Sequence, residues 1–136
     1  MIQTTALKAC NSSIKVVGVE SSGAPGMTRS VREGGLLTLD TIDCVIDGLR
    51  VKRVGELTYD IVRQHVDDLV TLPDEQIFDA VVWIMAHLKV VPEGAAAAPV
   101  AALLQGLVKA PPSTKIVCVL SGGNVDLEQL RGHVLN

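Results

Sequence analysis

Aromatic side chains are almost missing from this sequence: 136 residues hold one Trp, one Tyr and one Phe. Whatever core the chain builds must be aliphatic. Cysteine is scarce too. Cys10, Cys44 and Cys118 are widely spaced and form no CxxC pair. Three such thiols argue against a disulfide framework and for a reducing, cytoplasmic setting, each serving as a small core filler. Positive charge is not in excess: 12 Lys and Arg against 15 Asp and Glu leave a net charge of −3. That gives no electrostatic case for nucleic acid or an acidic lipid surface. No apolar run approaches the ~18 residues of a membrane-spanning helix, and the opening residues do not read as a signal peptide. Also absent are a GxGxxG or P-loop motif, an internal repeat and a low-complexity tract.

What is present is aliphatic bulk. Hydrophobic residues make up 48% of the chain and the mean hydropathy is +0.37. The length suits one domain, 1–136, able to bury about 68% of its unfolded surface.

The stretch that organises the rest is KIVCVLSGGNVD, 115–126. Ile116–Leu120 is an unbroken apolar run, rich in β-branched residues, and predicts a strand covered on both faces. It ends in Ser121-Gly122-Gly123-Asn124, a turn whose glycines permit close backbone approach to a ligand. Ligands of open α/β sheets sit outside the carboxyl ends of strands.

In chain order, residues 1–10 are compatible with a helix. Lys15–Val19 reads as a strand with Glu20 at its carboxyl end. A short helix follows near Met27–Glu33. Residues 36–55 are irregular and contain the turn Asp47-Gly48. Glu56–Val66 predicts a helix whose apolar face holds Leu57, Ile61 and Val62 or Val66, and Leu69–Leu72 a short strand. His65 reads as a surface residue near a helix end. Pro73–Leu88 gives the clearest helix, with apolar residues at three and four and Asp74 and Glu75 in its first turn. The alanine-rich helix after Glu93 is expected to start near Ala96, with Pro99 in or near its first turn and Gly106 as its stop. A last short helix, Asp126–Arg131, carries a capping-box spacing at Asp126 and Gln129. The pattern suggests an α/β fold: a mostly parallel sheet of about three strands with helices on both faces.

LSGGNVD after an apolar strand resembles the end of the catalytic region of threonine and serine dehydratases, pyridoxal-phosphate enzymes whose fold type II family includes serine racemase. VVGVES at 16–21, DGLRVKRVGELTYDIV at 47–62, VDDLVTLPDEQI at 66–77 and KVVPEGAAAAPVAALL at 89–104 agree in order. The resemblance implies part of the large domain of that fold. It implies an ammonia-lyase reaction, turning threonine into 2-oxobutanoate or serine into pyruvate. It assigns cofactor-binding roles to Ser121 at the ring nitrogen, to the adjacent Gly122, to Gly48 against one ring face and to Glu93 beside the ring. It also implies a structural cation held by Glu20 and the Ala24 carbonyl. Gly26 stands where a further carboxylate is expected, and hard cations want several oxygens. The alternative for Glu20 is that it caps the loop or meets solvent. For Asp47-Gly48 it is an ordinary turn, and for Glu93 a helix-dipole partner.

The resemblance covers the later part of such an enzyme. The cofactor-lysine segment and the glycine-run phosphate loop are not among these residues and would lie upstream of Met1. The expectation is therefore that this chain alone has no catalytic residue and is silent. The chain is expected to form a homo-oligomer or to pair with a partner that supplies the missing half, and the amino-acid substrate belongs to the full enzyme. Two other readings stay open. One is a non-catalytic module for self-association, suggested by the apolar surface such a fragment would bare. The other is a small domain binding a nucleotide or other anion at Ser121–Asn124.

Overall fold

The computed structural model describes residues 2–125 and 127–134. Among them, six helices and two strands follow one another as α1 (Ile2–Cys10), β1 (Val17–Ser21), α2 (Gly26–Glu33), α3 (Glu56–His65), β2 (Asp68–Leu72), α4 (Asp74–Leu88), α5 (Gly94–Leu104) and α6 (Leu127–Val134). A single 3-10 turn, Asp47–Leu49, interrupts the irregular stretch before α3.

The sheet is parallel and has two strands, with Val17 opposite Asp68 and Ser21 opposite Leu72. Successive side chains of a strand point to opposite faces, and here the two faces feed two cores. Val19 and Leu72 join the larger cluster, built around Ile77, Val81, Ile84, Ala97 and Ala101 of α4 and α5. Leu69, on the opposite face, joins a smaller cluster of Met27, Val54, Tyr59 and Val62 from the α2–α3 side. Helices therefore cover both faces, as the sequence pattern suggests.

Small residues bring α5 close to its neighbours. Ala96, Ala97, Ala98, Ala101 and Ala102 are all buried, so the α5 backbone can approach α4 and the sheet without large side chains between them. The helix starts at Gly94, two residues earlier than expected. Pro99 falls in its second turn, where it removes one helical hydrogen bond. The C-terminus closes as a Schellman motif: Gly106 adopts φ +67°, Leu107 N–H donates to Ala102 O and Gly106 N–H to Leu103 O.

Three expectations are corrected. Residues 116–120 belong to neither strand and lie outside the sheet. Ile116, Val117 and Val119 are 47%, 86% and 47% exposed. An apolar run becomes a buried strand only when another strand and a covering layer meet it, and no strand of the described residues does. On α3, Leu57 is 74% exposed. The buried pair is Tyr59 and Val62, because the second core lies on the α2 side. Of the cysteines only Cys44 fills the core; Cys10 is exposed and Cys118 intermediate. The capping box expected of Asp126 falls outside the described residues.

Candidate functional site

The irregular stretch between α2 and α3 is a closed loop. Its base is an isolated antiparallel bridge between Thr38 and Arg53, with Leu39 N–H donating to Lys52 O. Its middle is fixed to the carboxyl end of the sheet. Asp43 N–H donates to Gly23 O at 2.9 Å, and Val45 N–H donates to Asp74 Oδ2 at 2.6 Å. The other oxygen of Asp74 accepts the Ser21 hydroxyl at 2.5 Å, while Ser21 Oγ itself accepts Gly23 N–H at 3.1 Å. Ser21 is fully buried. Cys44 turns inward between these anchors, and burial pushes its thiol pKa up, with Asp74 nearby adding to the rise.

Beyond the anchors the loop meets the start of α5. Ile46 is buried against Gly94, where a Cβ would stand 2.9 Å from Ile46 Cγ2. Gly48 lies against Ala95 so closely that a Cβ on Gly48 would be 2.7 Å from that of Ala95. The turn at 122–124 arrives from the other direction. Glu93 N–H donates to Gly122 O at 3.0 Å, and Glu93 Oε2 accepts Asn124 N–H at 3.2 Å. A Cβ on Gly122 would sit 2.6 Å from the Glu93 carboxyl carbon.

These elements enclose a cavity of about 360 Å³. Its polar lining comes from Asp47, Glu93 and Asn124, and its apolar lining includes Ile46, Phe78 and Val81. An aliphatic and aromatic floor with a few polar groups is the usual make-up of a small-molecule site. The two carboxylates suit a ring carrying hydrogen-bonding groups and disfavour a phosphate. None of the six lysines, at 8, 15, 52, 89, 109 and 115, lines it. The lining thus offers acceptors to a ring's hydrogen-bonding groups and no cationic side chain to a phosphate.

Of the residues singled out in the sequence, Gly48 and Glu93 line this cavity, and Gly122 packs against the Glu93 carboxylate without lining it. Ser121 is next to Gly122 but is exposed and outside the cavity lining. Glu20 and Ala24 are also outside it. Glu20 caps α2: its carboxylate accepts Met27 N–H at 2.8 Å, Thr28 N–H at 2.7 Å and the Thr28 hydroxyl at 2.7 Å. Pro25, the N-cap residue, provides no side-chain cap, so a strand residue does the work from outside the helix. The Ala24 carbonyl accepts Gly26 N–H at 2.9 Å. Among the described residues no group of three or more His, Cys, Asp or Glu could hold a metal ion. Glu20→Ala is expected to lower stability by about 1–2 kcal/mol, the usual worth of a lost cap, read from the urea midpoint.

Sequence reasoning misses the roles of Ser21 and Asp74, while Asn124 is singled out only as part of the turn at 121–124. By position Asp74 is a first-turn dipole partner, and nothing local shows that it reaches a loop 29 residues away.

Residues 4–122 match the family described as pyridoxal-phosphate dependent enzyme. The chain belongs to that family. Within it, this pyridoxal-phosphate enzyme segment is 38% identical to the L-threonine ammonia-lyase of Thermotoga maritima over 128 residues, covering 93% of this chain and 31% of that protein. It is 40% identical over 126 residues to the catabolic L-threonine dehydratase TdcB of Escherichia coli K12, covering 92% and 38%. The fold agrees: maize serine racemase superposes with a TM-score of 0.86 at 35% identity, over 98% of this chain and 43% of that one. The processed form of threonine deaminase isoform 2 from Solanum lycopersicum also gives 0.86, at 27% identity, over 97% and 39%. The chain spans about a third of the length of the curated relatives it matches. Its α/β architecture is thus a fragment of the large domain of that fold.

Proposed function

We propose that this chain is the later part of the catalytic region of a threonine or serine ammonia-lyase, and that its cavity forms one wall of the pyridine-ring site. The observation that carries the reading is the cavity lined by Gly48, which has no room for a side chain, and by Glu93, whose carboxylate packs on Gly122. When bound, pyridoxal phosphate would supply the electron sink for loss of the substrate β-hydroxyl and release of ammonia. Gly48 would lie against one ring face, with Ile46 and Phe78 excluding water beneath it. Glu93, steadied by the Asn124 amide, would face the ring edge. Ser121 would meet the ring nitrogen. A hydroxyl cannot hold that nitrogen protonated as a carboxylate would, which favours prompt elimination over long-lived charge on the ring.

The chain supplies neither a lysine at the cavity nor a glycine run for the phosphate, so alone it is expected to be inactive. In this reading a partner polypeptide in the cytoplasm contributes both, the assembly is oligomeric, and the amino-acid substrate is bound by the whole of it. A cation at Glu20 and the Ala24 carbonyl would have to compete with the α2 cap for both carboxylate oxygens.

Complementation tests the proposal. This chain is mixed with the first half of a relative, and 2-oxo acid formation is followed from threonine and from serine. Activity is expected only in the mixture and only with pyridoxal phosphate. Ser121→Ala and Ser121→Asp should each lower kcat about 100-fold, the scale of losing one placed catalytic contact. Full activity with either variant rejects the ring-nitrogen role. The exposed Ile116, Val117 and Val119 favour a second reading, a non-catalytic self-association module. An inactive mixture in which light scattering finds the chain oligomeric supports that reading instead.

A further inference from the structure

We propose that Asp74 is a positioning residue: its carboxylate sets where the 43–48 loop stands, and through that loop it places Gly48 against α5. The inference rests on the reading of the cavity as a ring site.

Asp74 is the first residue of α4, yet its oxygens point away from its own helix. One accepts a hydroxyl from the last residue of β1 and the other an amide from the loop. Hydrogen bonds to a charged acceptor are roughly twice as strong as neutral ones, and the partner hydroxyl is fully buried, so water competes little for it. The Gly23 carbonyl takes the Asp43 amide, two residues before the one Asp74 takes. Alternate amides of one short segment are therefore fixed to two different elements. Ile46 follows at once and is jammed against Gly94, and Gly48 stands two residues further on against Ala95. Little slack separates the anchor from the wall, so a shift at Val45 is carried to Gly48.

Two measurements test this. In the chain alone, hydrogen exchange of residues 43–48 is expected to quicken about tenfold in Asp74→Ala and less in Ser21→Ala, on the scale of one charge-assisted hydrogen bond. Asp74→Glu should restore protection. In the complemented enzyme, affinity for pyridoxal phosphate, read from its visible absorbance, should fall about tenfold in Asp74→Ala and measurably in Ser21→Ala, with recovery in Asp74→Glu. Ser21→Ala leaves the carboxylate at the start of α4 in place, so a loss there separates loop placement from a simple helix-dipole role. It also decides the matter if Asp74→Ala does not fold. Unchanged exchange in both variants, or faster exchange with unchanged affinity, overturns the proposal. A wild-type mixture that binds no pyridoxal phosphate overturns the cavity reading instead, and the exchange data still decide whether Asp74 holds the loop.

Discussion

Gly23→Ala is expected to destabilise the chain by about 3 kcal/mol or more, the upper end of what overpacking costs. A Cβ at this position would be 1.6 Å from Asp43 O and 2.4 Å from the Asp43 carbonyl carbon. Both are backbone atoms, so no rotamer change relieves the clash. The loop must leave, and with it go the Asp43–Gly23 hydrogen bond and the burial of Cys44. A small domain holds roughly 5–15 kcal/mol in all, so the variant should be marginal at best. The urea midpoint measures the loss. Ser22→Ala, one residue away and exposed, is the control and should stay within about 0.5 kcal/mol of wild type.

Gly48→Ala has the second-largest expected effect, and its character differs. The obstructing atom is the Cβ of Ala95, fixed to the α5 backbone, so the 3-10 turn must move outward. About 1–3 kcal/mol of stability should go. In the complemented enzyme the same displacement should weaken pyridoxal phosphate binding roughly 10- to 100-fold, which is that energy expressed as affinity. Gly122→Ala is the useful contrast. There the clash is with the far end of the flexible Glu93 side chain, which can swing aside, so stability should change less. A Gly48→Ala variant that binds the cofactor normally would remove Gly48 from the ring site.

Much of the architecture is legible because helical periodicity is a local property. α4 follows from Ile77, Val81 and Ile84, whose spacing puts them on one face whatever the partner. The two strands are recognisable to within two residues of their ends. The turns at Gly48, Glu93 and Gly122 stand out because each combines a glycine or a carboxylate with an element end. What fails is non-local. The run 116–120 has every property of a strand except a neighbour. Leu57 satisfies a helical stripe, but the smaller core lies on the side of Tyr59 and Val62. The Ser21–Asp74–Val45 connection spans three separate segments, and no spacing rule relates them. For Glu20, the residue type allows a ligand or a cap equally well; the nearby α2 amides decide what it does in this structure.

The partly exposed apolar run at 116–120 has one further consequence. Ile, Val, Cys, Val and Leu in succession, uncharged and without proline, make a stretch able to stack in register with copies of itself, its backbone groups bonding from molecule to molecule along a fibre axis. Lys115 at one end and the Gly122-Gly123 pair at the other are the local brakes on such growth. Concentrated solutions of this polypeptide should therefore turn to fibres sooner when Lys115 is neutralised than when it is kept.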